Sequence, residues 1–143
     1  MPATTERELR AGHVELSHHL ERLRSIADAL DDAPTEGATG LIVEANDVIQ
    51  GQIVKHERDD ERSVYPQLSK VLTEHHALAA MSRAHREIQH LAGLLSRVVA
   101  DIPSEKIDHY LIRDAQRLIE SIETLVRIHA AQENDIYDAV ASQ

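Results

Sequence analysis

With 143 residues, 25 acidic against 15 basic side chains and a formal charge of −10, the chain fits one domain and would be repelled by a phosphate backbone or an anionic membrane surface. The absence of cysteine excludes disulfides, iron–sulfur clusters and thiolate sites, so any metal must be held by nitrogen and oxygen. No apolar run reaches the roughly 20 residues of a membrane span, and Met1-Pro2-Ala3-Thr4-Thr5-Glu6 lacks the basic-then-apolar order of a signal peptide, which leads us to expect a soluble cytoplasmic protein.

The first segment opens on a capping box, Thr5 with Glu8, and carries Leu9, His13, Leu16, Leu20, Leu23, Ala27 and Leu30 in alternating steps of four and three. Asp31 to Gly37 contains a proline and a glycine, so the helix should end near Leu30. The second runs from about Thr39 through Ile42, Ala45, Ile49, Ile53, His56, Asp60, Val64 and Leu68. Pro66 should kink it or end it, with one more turn to Leu72. The third repeats the rhythm in Leu78, Met81, His85, Ile88, Ala92, Leu95 and Val99 and closes at Asp101-Ile102-Pro103. The fourth should begin at a Ser104 N-cap and carries Ile107, Leu111, Ala115, Leu118, Ile122, Leu125, His129, Glu133 and Ile136. A weak repeat sets Gly12-His13-Val14-Glu15-Leu16-Ser17-His18 against Ala84-His85-Arg86-Glu87-Ile88-Gln89-His90. Phe and Trp are absent and Tyr occurs three times, so the core must be aliphatic, which favours helices over a sheet. The expected fold is all-α: an antiparallel up-down-up-down four-helix bundle of helices roughly 22–33 residues long.

Each stripe holds one histidine where a buried apolar residue is due: His13, His56, His85 and His129. A lone buried histidine is more often a hydrogen-bonded core residue than a ligand. Here the longitudinal positions matter. His13 and His85 follow their helix starts, and His56 and His129 precede their helix ends. At 1.5 Å per residue, all four in an antiparallel bundle fall roughly 12–20 Å from one end. Asp60 and Glu133 stand four residues after His56 and His129, the spacing that lets one helix give two ligands to one centre. Four imidazoles and two acids exceed what a tetrahedral zinc needs and suit two irons, with carboxylates bridging and imidazoles capping. His18, His19, His75, His76, His90 and His109 read as surface or supporting residues, and Glu57, Asp59 and Glu61 as an ambiguous charge run.

The order histidine, then His56-x-x-x-Asp60-Glu61-x-x-Val64-Tyr65-Pro66, then histidine, then His129-x-x-x-Glu133 resembles the hemerythrin-like proteins, specifically the bacterial HHE cation-binding domain, whose pattern is His-x-x-x-Glu-Glu-x-x-Leu-Phe-Pro. The resemblance spans essentially the whole chain. It implies two non-haem irons, oxo- or hydroxo-bridged, with His13, His56, His85, His129 and Glu133 as ligands and Asp60 in the place of a bridging glutamate. Asp60 is one methylene shorter, so Glu61, and less readily Glu57, is an alternative bridge. Met81 and Gln89 stand where hemerythrins proper carry a second third-helix histidine, which leaves a position for water, His90 or Tyr137. The aromatic residues that often line the family's oxygen pocket are missing. Three functions follow from the resemblance: binding, sensing or storing O₂ or a related small oxidant; a diiron enzyme consuming peroxide, nitric oxide or an organic substrate; or a metal-responsive interaction module. None calls for nucleic acid or a membrane.

Overall fold

The computed structural model describes residues 3–102 and 107–142. Among these there is no strand. We number four helical stretches: α1 (Ala3–Ala29); α2, continuous through Thr35–Val48, Ile49–Ile53, Val54–Asp59, Asp60–Val64 and Tyr65–Val71; α3 (His76–Asp101); and α4 (His109–Ala141). No helix of the described residues is long and apolar enough to cross a membrane.

The helix ends depart from expectation in three places. α1 is already helical at Ala3, so Thr5 falls inside it rather than capping it, and the Thr5 side chain lies outside the described ones. α2 starts at Thr35, not Thr39. Pro34 serves as its N-cap with φ −63° and ψ 154°, and Glu36 lies in the first turn, where an acid favours the positive end of the helix dipole. Ser104 lies outside the described residues. The N-cap that α4 shows is Asp108, whose carboxylate accepts the Leu111 N–H at 2.9 Å.

The most consequential departure is inside α2. Two of its segments, Ile49–Ile53 and Asp60–Val64, are π turns, in which Val54 N–H reaches back to Ile49 O and Tyr65 N–H to Asp60 O. A π turn holds one residue more than an α turn, so each rotates the helix beyond it by about one residue. The second also answers the proline. Pro66 lacks an N–H and its ring would crowd the carbonyl four residues back. With the ladder opened just before it, the helix passes through and runs on to Val71.

Cross-helix pairs set the layout. Arg10 and His13 of α1 meet Asp138 and Asn134 of α4, while Ala27 and Asp31 near the end of α1 meet Gln116. Gln50, Glu57 and Glu61 of α2 meet Ala92, His85 and Ser82 of α3. Two apolar clusters fill the interior. The larger draws on all four helices, with Leu23, Ile26, Ile42, Ile49, Ile88, Leu95, Ile119 and Ile122 at its heart. The smaller gathers Tyr65, Leu68, Leu78, Met81, Tyr137 and Val140. Between them lies a layer of buried polar side chains.

Candidate metal centre

Each helix contributes to this layer. α1 gives His13; α2 gives His56, Glu57, Asp60 and Tyr65; α3 gives His85; α4 gives His129, Glu133 and Tyr137. The two expected i,i+4 pairs form: His56 Nε2 lies 3.2 Å from Asp60 Oδ2, and His129 Nε2 lies 3.2 Å from Glu133 Oε1. The four imidazoles form two pairs, with ring centroids 5.7 Å apart for His13 and His56 and 4.6 Å for His85 and His129.

Nε2 is the inward nitrogen of all four. That of His85 stands 2.6 Å from Glu57 Oε2 and that of His129 3.2 Å from the same oxygen. His13 Nε2 is 3.5 Å from Glu133 Oε1. The outward nitrogens of two rings are held from behind. His13 Nδ1–H donates to Asn134 Oδ1 at 2.7 Å, and His85 Nδ1–H donates to Glu61 Oε2 at 2.6 Å. Both bonds fix the tautomer that leaves Nε2 free for a metal. Tyr65 crosses the layer, its hydroxyl donating to Glu133 Oε2 at 2.9 Å and lying 3.0 Å from His85 Nε2.

Donor atoms fall into three groups, each with its atoms within 4.8 Å of one another: His13, His56 and Asp60; Glu57, His85 and His129; and Glu57, Asp60 and Glu133. Many are buried without a hydrogen-bond partner, among them His13 Nε2, His56 Nε2, both oxygens of Glu57, Asp60 Oδ2 and Glu133 Oε1. A single such atom costs about 1–3 kcal/mol. Cations bound among them would satisfy these inward atoms together, and the nitrogen and oxygen chemistry fits borderline or hard divalent ions.

The field of the layer is set by its acids. Burial works against the charged form of His56, but the close approach of Asp60 and the charges of Asp60, Glu57 and Glu133 raise its pKa to about 9. Burial likewise opposes His13 and His85; Glu133 and Asn134 raise the first, and Glu57 and Glu61 raise the second. Burial would raise the Glu57 carboxyl, yet His129 and His85 hold it down at about 2. Burial and the neighbouring carboxylates keep both hydroxyls, Tyr65 and Tyr137, protonated far above their ordinary range.

Six of the seven residues singled out from sequence as ligands, His13, His56, Asp60, His85, His129 and Glu133, come together. The seventh, Glu61, stands apart from the donor groups. Its side chain is 45 % exposed, with Oε2 behind His85 and Oε1 accepting from Ser82 at 2.7 Å. Glu57, set among the ambiguous acids, is instead fully buried at the middle. Tyr65 and Tyr137 both reach the layer. Tyr137 packs against His13, while His90 is exposed and away from the layer. The other histidines set aside as surface residues are exposed, apart from half-buried His19.

The profile of the hemerythrin HHE cation binding domain matches residues 4–141. No curated protein and no solved structure matches the chain.

Proposed function

Because the chain belongs to the hemerythrin HHE cation-binding domain family, whose members bind metal cations, we propose that its centre holds two iron ions and binds dioxygen or a related small oxidant. One observation carries this reading: two histidine-bearing donor groups are linked by a third made only of carboxylates, which has Asp60 in common with the first and Glu57 with the second. A single ion would need one group; two groups joined by carboxylates suit two ions of octahedral preference. His13, His56 and Asp60 would serve one position, Glu57, His85 and His129 the other, and Asp60 with Glu133 would lie between. Glu61 acts one step back, through His85. The cross-helix pairs, which run in opposite sequence senses between neighbouring helices, support an up-down-up-down order for the bundle.

A bound iron pair supplies electrons to a small oxidant. The chain's own part is to orient and dry that chemistry. Asn134 and Glu61 set two of the rings, Leu68, Met81 and Tyr137 wall off one side, and the Tyr65 hydroxyl holds a hydrogen-bond donor beside Glu133. Protein purified from iron-replete cells is expected to carry about two irons per chain and near-ultraviolet charge-transfer absorption that changes when the reduced protein meets air. Metal analysis that finds neither iron nor manganese would overturn the reading.

The Tyr65 hydroxyl favours a second reading, turnover of peroxide or a similar oxidant. Held protonated far above its ordinary range, the hydroxyl is a fixed hydrogen-bond donor, and such a donor stabilises the oxygen that gains charge as an O–O bond breaks. On this reading Tyr65→Phe lowers peroxide consumption by about 10²-fold or more while metal content stays constant. An unchanged rate would leave binding as the function.

A further inference from the structure

The two histidine pairs are built differently. In the Glu57, His85, His129 group the side chains are 0, 3 and 1 % exposed. In the His13, His56, Asp60 group they are 8, 21 and 9 % exposed. The difference has a visible cause. His56 borders a cleft of about 180 Å³ between α1 and α2, rimmed by Gly12, Glu15, His19, Lys55 and Asp59. Gly12 has no side chain to stand over the ring, and a Cβ at that position would lie 3.7 Å from His56 Cε1. Larger side chains there would project over the ring edge.

The supporting contacts differ in the same sense. His13 is backed by a neutral amide, Asn134, whereas His85 is backed by a carboxylate that Ser82 in turn holds. A carboxylate behind an imidazole makes the ring a stronger donor and fixes it more firmly than an amide does.

Resting on the two-ion reading above, we propose that the two positions hold their ions unequally. The ion served by Glu57, His85 and His129 is retained, and the ion served by His13, His56 and Asp60 exchanges with solvent through the cleft beside Gly12. The exposed edge of His56 is the point of departure, and the Glu15 and Asp59 carboxylates on the rim accompany a leaving cation.

The test uses the full chain loaded with zinc, which takes nitrogen and oxygen ligands without redox change, and follows transfer to a chromogenic chelator in excess. Release is expected in two phases, one ion in each, with rates at least about tenfold apart. Gly12→Leu should slow the fast phase by about tenfold and leave the slow one alone. Glu61→Gln should speed the slow phase by about 10–100-fold without changing the fast one. Circular dichroism checks folding. Should Gly12→Leu not fold, Lys55→Trp, a bulky change on the exposed rim, should slow the same fast phase. Release of both ions in one phase, or rim substitutions that slow both phases equally or neither, would overturn the inference. Protein that retains fewer than two ions before the chelator is added would bring down the two-ion reading itself.

Discussion

Glu57→Gln protein is expected to hold one metal ion per chain where the parent holds two. Glu57 is fully buried, and neither of its oxygens has a hydrogen-bond partner. Its Oε2 stands against the inward nitrogens of both His85 and His129. Glutamine keeps the shape and removes the charge. Its amide can also turn an NH₂ toward those nitrogens and occupy them. Losing a group one step removed from a metal costs about 10–100-fold in affinity, so losing a direct anionic donor should cost at least about a hundredfold at that position. The measurement is metal per chain after dialysis against a weak chelator, beside Glu87→Gln, an exposed glutamate of α3, as control. Two retained ions would show that Glu57 is not a ligand.

The metal-free protein should have a stability window that closes on both sides. The folded pKa of His56, about 9, lies above its ordinary 6.5. Its contribution is therefore whole below about pH 6.5 and is lost as pH rises through 9. The gap corresponds to about 3 kcal/mol. Glu57 behaves in the opposite sense. Depressed from 4.5 to about 2, it stabilises fully above about pH 4.5 and loses its effect as pH falls toward 2. Melting temperature should thus be highest between about pH 4.5 and 6.5 and decline toward pH 9. Loading reverses the alkaline limb, because a metal replaces the proton on His56. At pH 7 binding should release protons, and apparent affinity should climb about tenfold per pH unit for each proton displaced until about pH 9. Thermal melts of the metal-free and loaded protein across this range provide the check. A metal-free melting temperature that stays level from pH 6.5 to 9 would contradict the charge state assigned to His56.

The helical class and most of the buried layer were legible because stripes on α1 and α3 run without interruption. Every stripe position on α3 from Leu78 to Leu95 is buried, and the i,i+4 pairs of α2 and α4 formed as spaced. Glu57 was legible only as the less favoured alternative bridge, not as the most buried acid. A stripe read in steps of three and four accepts His56, Asp60 and Val64 without complaint. An inserted π residue changes which neighbour faces inward without changing the apparent rhythm. The result is that Glu57 replaces His56 as the most buried group and Tyr65 replaces Val64. Two signals were present in the chain: Gln50-Gly51-Gln52, a polar run with a glycine at one π turn, and Pro66, which an unbroken α-helix would not accommodate. α4 shows a milder version. Leu111, Leu118 and Leu125 came out half-buried while Ile112, Ile119 and Val126 are buried, since a helix packed against three others has a wide inner arc and the stripe can be drawn along either side of it.

The polar layer also cuts the interior in two. Below it lies the large aliphatic cluster; above it the small one, made by the end of α2, the start of α3 and the end of α4, with Leu9 of α1 packed against it. Segments with few buried apolar contacts open at lower free energy than the body of a protein. The small cap is joined to the rest through imidazoles set against carboxylates. With metal they would become one coordinated unit reaching into all four helices. Metal bound there would act as a rivet, converting a domain with a loosely attached end into one that opens as a whole.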